Sequence, residues 1–202
     1  MGLILEYDNG QTPIAEEEKA GLKIKAISLQ SELDEFELRN IREASHWVAG
    51  KKFSPETALH EAFLCELHQR MFNKVWKWAG KFRRTDKNIG VPWYEVPVAT
   101  RRLCDDTRFW VENATYPPAE IAIRFKHRLV SIHCFPNGNG RHSRIMADLL
   151  LECVFDQPAF SWRGSGLVRA DEQRMAYIRA LRRADVGEIG PLLSFAWGNS
   201  SE

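Results

Sequence analysis

Two apolar helical stripes flanking one glycine-bearing turn constrain this chain more than any other feature. The turn lies in His133-Cys-Phe-Pro-Asn-Gly-Asn-Gly-Arg-His-Ser-Arg144. Before it, Ile121, Ala122, Phe125, Leu129 and Ile132 repeat at helical spacing. After it, Ile145-Met-Ala-Asp-Leu-Leu-Leu151 reads as a buried helix. A flexible loop entering a helix start gathers backbone N–H groups around one point, and the macrodipole adds positive potential, so the place suits a phosphate. Arg141 and Arg144 fall one turn apart on the same helical face. Their planar, always-charged forks can grip one polyanion. His133 ends the preceding helix and can act as a general base near neutral pH. Base, anion cradle and paired arginines together point to transfer of a phosphate-containing group.

The rest of the chain also reads as helical. Ser54-Pro55-Glu56 is a helix start, with a capping hydroxyl, proline at N1 and a first-turn carboxylate. The helix it opens is predicted to bury Phe63, Leu64, Leu67 and Met71 and to stop at Gly80. Pro117-Pro118 opens the helix that delivers His133, and Asp171 opens a last major helix through Met175, Ile178 and Leu181. One segment reads as β: Asn88-Ile-Gly-Val-Pro-Trp-Tyr-Glu-Val-Pro97 has two short β-branched runs around a Pro-Trp turn. The expected fold is therefore all-α with one small β-hairpin. The first twenty-odd residues, Glu-rich at Glu16-Glu17-Glu18, are expected to wrap loosely on the surface.

Composition limits the function classes. With 202 residues and 44% hydrophobic content the chain can build a sizeable core. A net charge of +1 gives no general footprint for nucleic acid. No apolar run is long enough to span a membrane. The N-terminus turns acidic at once, without a basic n-region, which argues against a secretory signal and for a cytoplasmic setting. Cys65, Cys104, Cys134 and Cys153 are widely spaced and read as reduced thiols. Cys134 in particular reads as a small buried hydrophobe, and His68, beside Leu67 and Met71, as a structural histidine.

The twelve-residue stretch resembles the signature of the Fic family, His-x-Phe-x-Asp/Glu-Gly-Asn-Gly-Arg-x-x-Arg, with Asn137 at the acidic position. Leu67-His-Gln-Arg-Met-Phe72 followed by Val75-Trp-Lys-Trp-Ala-Gly-Lys-Phe-Arg83 is similar to the helix pair that precedes the flap in Fic proteins. Tyr177-Ile-Arg-Ala-Leu181 is similar to the family's C-terminal helix. The combination most resembles the branch called mobile mystery protein B. The likeness implies residues 1–27 as an N-terminal extension, 28–198 as a single Fic domain and 199–202 as a tail.

The resemblance implies a protein adenylyltransferase. ATP would lie with its phosphates over Gly138, Asn139 and Gly140, and Mg²⁺ or Mn²⁺ would bridge phosphate oxygens at Asn137. Arg141 would contact the β-phosphate region and Arg144 the γ-phosphate, with Tyr177 near the adenine. His133 would take the proton of a target Ser, Thr or Tyr hydroxyl, held by a flap at Ile89, Gly90, Val91 and Pro92. Asn139 and Arg141 join His133 in the expected catalytic set. Asn137 offers only a neutral carbonyl oxygen to a hard cation. Three outcomes stay open: metal held by phosphates and water, slow catalysis, or a different chemistry. The alternative function is a non-catalytic or weakly active module binding nucleotide or partner, or an enzyme moving another phosphate-containing group. Residues 28–48 are the candidate inhibitory helix, with Glu35 or Glu37 expected to pair with Arg144; a solvated charged helix is the competing reading. The likeness also implies a helix-turn-helix partner protein and a toxin-like setting, with no direct nucleic acid or membrane contact.

Overall fold

The computed structural model describes residue 14, residues 16–162 and residues 170–198. The expected tail at 199–202 lies outside the described residues, as do residues 1–13. Nine α-helices are described: α1 Glu16–Lys19, α2 Gln30–Val48, α3 Pro55–Ala58, α4 Glu61–Phe72, α5 Val96–Glu112, α6 Pro118–Ile132, α7 Asn139–Leu149, α8 Ala170–Asp185 and α9 Gly190–Trp197. A wider π-turn, Leu150–Val154, continues α7.

Helix α6 is the hub. Ile121, Ala122, Ile123, Phe125, Leu129 and Ile132 are buried on more than one face, so the helix is enclosed by α5, α7 and α9. Its start is as predicted: Pro117 precedes Pro118 in the first turn, where a missing N–H costs nothing. Helix α2 packs on α4, and α8 on α9. Ala180 and Ala184 carry the buried face of α8, whereas Met175 is exposed.

Two predicted boundaries move. Ser54 does cap a helix, accepting from Thr57 N–H at 3.3 Å, but that helix is the single turn α3. The longer helix restarts at Glu61, capped by the His60 imidazole, which accepts from Ala62 N–H at 3.1 Å. Helix α4 then ends at Phe72, well before Gly80. Asn40 of α2 explains the stop: its amide donates to the Arg70 carbonyl at 2.7 Å and accepts from Lys74 N–H at 2.9 Å. A side chain far away in sequence thus takes over the groups the next turn would use.

The N-terminal segment is tied down from residue 16 onward. Lys23 N–H donates to Val75 O at 2.8 Å and Lys77 N–H to Gly21 O at 2.9 Å, flanking an isolated antiparallel bridge between Leu22 and Trp76. Among the described residues no helix is long and apolar enough to cross a membrane.

The predicted β-hairpin does not form; no strand occurs among the described residues. Residues 85–92 are an irregular loop, Trp93–Glu95 a 3-10 turn, and Val96 begins α5. Prolines explain this. Pro92 and Pro97 lack ladder donors, and Pro97 falls within the first turn of α5.

Candidate active site

The turn between α6 and α7 is held from below by buried imidazoles. His68 of α4 is fully buried and stacks on Phe135 at 3.7 Å between ring centroids. Its Nδ1 accepts from Gly80 N–H at 3.0 Å, so Nε2 carries the ring proton and donates to the Asn137 carbonyl at 3.1 Å. His142 Nε2 bonds the Leu64 carbonyl at 3.0 Å. Burial holds both rings below the ordinary histidine range, His142 at about 3. Gly80 is required here: its φ is +75° and a Cβ would lie 2.7 Å from Gln69 Cβ.

Asn139 closes the turn on itself. Its side chain accepts from Phe135 N–H at 2.9 Å and donates to Phe135 O at 2.8 Å, and the residue is buried. Both ends of the amide are engaged with backbone, so Asn139 shapes the loop rather than meeting reacting atoms. Gly138 has φ +78° and presses on Phe72, whose ring atoms would lie 2.5 Å from a Cβ. Gly140 is the opposite: nothing lies within 4 Å of where its Cβ would be. The α7 N-terminus therefore has a solid glycine floor and one open glycine edge, the shape a phosphate needs to approach backbone N–H groups.

His133 follows α6 in a left-handed conformation, φ 57° and ψ 61°. It is buried, and neither ring nitrogen has a hydrogen-bond partner among the described residues. Burial, then the charges of Arg83 and Lys87, push the imidazole down to about 4, so it is unprotonated at neutral pH. Above it lies the loop of Ile89, Gly90, Val91 and Pro92. A Cβ on Gly90 would meet His133 Cβ at 2.8 Å. Ile89, Trp93 and Tyr94 are exposed beside this point.

The two arginines differ. Arg141 Nη1 donates to Glu37 Oε2 at 2.5 Å, and its guanidinium covers the Phe72 ring at 4.9 Å. Glu37 is buried and its other oxygen accepts from Trp76 Nε1 at 2.5 Å. Glu35 is exposed. The expected pairing of a helix α2 glutamate with Arg144 is thus corrected: Glu37 holds Arg141. The reason is position, since Glu37 faces α4 and the start of α7 while Arg144 is one turn farther along, stacked on Tyr177 at 4.4 Å and Trp162 at 5.4 Å. Arg144 Nε is buried without a partner among the described residues. Asp148, one turn on, accepts instead from Trp162 Nε1 at 2.9 Å and Phe160 N–H at 3.2 Å; burial raises it to about 7. The Tyr177 hydroxyl bonds the fully buried Lys126 ammonium, whose pKa burial and Arg144 lower well below the usual lysine value.

Sequence reasoning missed Lys126, His142 and Arg83. Lys126 alone was detectable, as a cation inside the apolar stripe of α6. Cys134 is buried against Thr100 Oγ1 at 3.3 Å and its thiol is pushed up to about 12, so it is no nucleophile.

Asn137 is the one side chain in the position expected to hold a metal. Its Oδ1 accepts from Gly138 N–H at 2.6 Å, turned back on the loop. Among the described residues no group of three or more His, Cys, Asp or Glu side chains could hold a metal ion. The described residues do not make a protein-held divalent site.

Comparison with known proteins agrees with this fold. The sequence profile of the Fic/DOC family matches residues 58–151. Protein adenylyltransferase Fic of Drosophila grimshawi is 29% identical over 136 residues, 65% of this chain and 26% of that protein. The chain thus spans about a quarter of the length of the curated relatives it matches. BepC of Bartonella tribocorum, solved with bound AMPPNP, superposes with a TM-score of 0.67 at 16% identity, covering 91% of this chain and 97% of that one. A Fic domain of a Bartonella quintana cell filamentation protein, solved with bound ADP, gives 0.63 at 16% identity over 86% of each chain.

Proposed function

We propose that this chain, whose residues 58–151 match the Fic/DOC family profile, is a Fic-type protein adenylyltransferase using ATP. One observation carries the reading: an unprotonated, unpartnered His133 imidazole stands beside a glycine-floored helix N-terminus with two arginines on its first turns. The likeness to Drosophila protein adenylyltransferases and the nucleotides bound in the Bartonella structures support it.

In this reading the ATP phosphates lie along the open edge at Gly140, against the backbone of Gly138 and Asn139. Arg141 and Arg144 stabilise the β- and γ-phosphates. His133 takes the proton of a target Ser, Thr or Tyr hydroxyl laid against Ile89–Pro92. The hydroxyl oxygen bonds the α-phosphorus, the α–β bridging bond breaks, and pyrophosphate leaves with that electron pair. Positioning and charge stabilisation supply most of the acceleration. No step runs through a protein-held metal, because Asn137 is neutral and committed to Gly138; a divalent cation would arrive on the phosphates. Glu37 is the proposed restraint, holding Arg141 away from nucleotide. A helix-turn-helix partner and a cytoplasmic setting belong to the same proposal.

Asn137 favours one second reading, a weakly active or nucleotide-binding Fic module. Incubation with α-³²P-ATP and γ-³²P-ATP separates the two. Adenylyl transfer gives protein label from the α position only, lost by roughly 10²–10⁴-fold in His133→Ala. Label from γ alone would mean phosphoryl transfer, and an undiminished rate in His133→Ala would remove the base from the mechanism.

A further inference from the structure

Arg83 has a buried side chain in a loop, which a cation does not do without reason. Its guanidinium is spent almost wholly on backbone carbonyls. Nε donates to His133 O at 2.6 Å and Nη1 to Thr85 O at 2.9 Å. Nη2 donates to Val91 O and, at 3.4 Å, to Ile132 O. The nearest carboxylate, Asp86, is 3.7 Å away and exposed. Two acceptors belong to the flap loop; the other two are the last carbonyls of α6 and its cap.

These carbonyls need a partner. The end of a helix leaves acceptors unsatisfied, and its dipole favours a cation. His133 is also left-handed, a strained conformation for a non-glycine residue that persists only where surroundings enforce it. Arg83 holds the carbonyl of that same residue. Two backbone bonds complete the clasp: Arg83 N–H to Cys134 O at 3.0 Å and Val91 N–H to Ile132 O at 3.4 Å. Gly90 fits between, 2.8 Å from Arg83 Nη2 and from His133 Cβ as measured to a Cβ position.

We propose that Arg83 is a positioning residue, a cationic clip that fixes the flap loop in register over the His133 imidazole. The inference rests on the adenylyltransferase reading for what the flap presents, a target hydroxyl. The clip sets the distance between that hydroxyl and the base, and its fork contacts none of Gly138 to Arg144. A lysine keeps the charge but cannot reach carbonyls on both sides. The clip also places a fixed charge beside His133. Lys87 is the other cation near the ring, and it is paired with Glu18 at 2.5 Å.

Three variants test this: Arg83→Lys, Arg83→Met and Gly90→Ala, the last forcing the loop outward with Arg83 intact. Histidine NMR titration of the whole protein reads the ring without needing activity. Arg83→Met is expected to move the His133 titration up toward the ordinary histidine value, with Arg83→Lys moving it less. In automodification with ATP, Arg83→Lys and Gly90→Ala are expected to lose at least tenfold in kcat with the ATP KM within twofold. If folded variants keep both the His133 titration and kcat, Arg83 is a structural residue only and the inference fails. If the titration moves while wild-type protein transfers no label from ATP, the clip stands and the adenylyltransferase reading fails.

Discussion

Glu37→Gly removes a carboxylate that two donors share, and the structure predicts opposite signs for stability and activity. Trp76 Nε1 loses its acceptor while fully buried, which costs about 1–3 kcal/mol. Glycine within α2 costs about 1 kcal/mol more. Arg141 is 41% exposed and can rehydrate, so loss of the ion pair adds about 1 kcal/mol or less. The total is about 3 kcal/mol, or about 6–12 °C in Tm for a chain of this length. Glu37→Gln keeps an acceptor for Trp76 but turns an amide toward Arg141, costing about 1 kcal/mol and about 2–4 °C. Both variants free Arg141. If the Glu37 contact is worth 1–2 kcal/mol to the restrained state, automodification rises about 5–30-fold. The assay pairs thermal unfolding with label incorporation from α-³²P-ATP on the same samples. Stability that falls with unchanged incorporation in both variants would refute the restraint and leave Glu37 as a structural partner of Trp76.

Four further outcomes follow from the same geometry. Gly138→Ala forces a left-handed alanine against the Phe72 ring and is expected to destabilise by about 2–4 kcal/mol in denaturant unfolding, whereas Gly140→Ala, facing open space, leaves stability nearly unchanged but weakens ATP binding measured by calorimetry. In the free enzyme, kcat/KM is expected to stay flat on acidification through pH 6 and to fall only near pH 4, where His133 takes up its proton; an acid limb at the ordinary value of 6.5 would contradict the buried ring. The same shift bears on folding: a histidine held unprotonated contributes full stability above pH 6.5 and loses it as pH falls toward 4, which acid unfolding of His133→Ala beside the parent measures. Finally, Asn137→Asp restores a charged oxygen and is expected to lower the Mg²⁺ concentration needed for half-maximal transfer; an unchanged metal titration would show that the cation is held by phosphates alone.

The sequence was readable where a local signal and the final structure agree. The paired prolines at α6, the Ser54 cap and the glycine turn before α7 act within a few residues, and each appears where local chemistry places it. What escaped was decided across the chain. Helix α4 stops because Asn40 of α2 reaches its end, a contact no window around Phe72 contains. The hairpin was drawn from β-branched residues, yet Pro97 favours a helix start and Arg83 satisfies the loop carbonyls that a partner strand would have used. Glu37 could be singled out from its place on a helical stripe with Leu33, Ile41 and Ala44, but its partner could not, because Arg141 and Arg144 lie on one face and only the crossing of α2 over α4 decides which is met. Arg83 was the hardest: a basic residue in the run Lys81-Phe-Arg-Arg84 reads as framing the nucleotide side or a solvent face until the carbonyls around it are seen.

In the proposed reaction His133 drives transfer of the adenylyl group of ATP onto a protein hydroxyl. Intact-mass measurement of the Glu37→Gly protein after incubation with ATP and Mg²⁺, beside the Glu37→Gly/His133→Ala double variant, tests it most directly. A mass increase of one adenylyl group is expected in the first and none in the second. A phosphoryl increment, or an adenylyl increment that persists without His133, would contradict it.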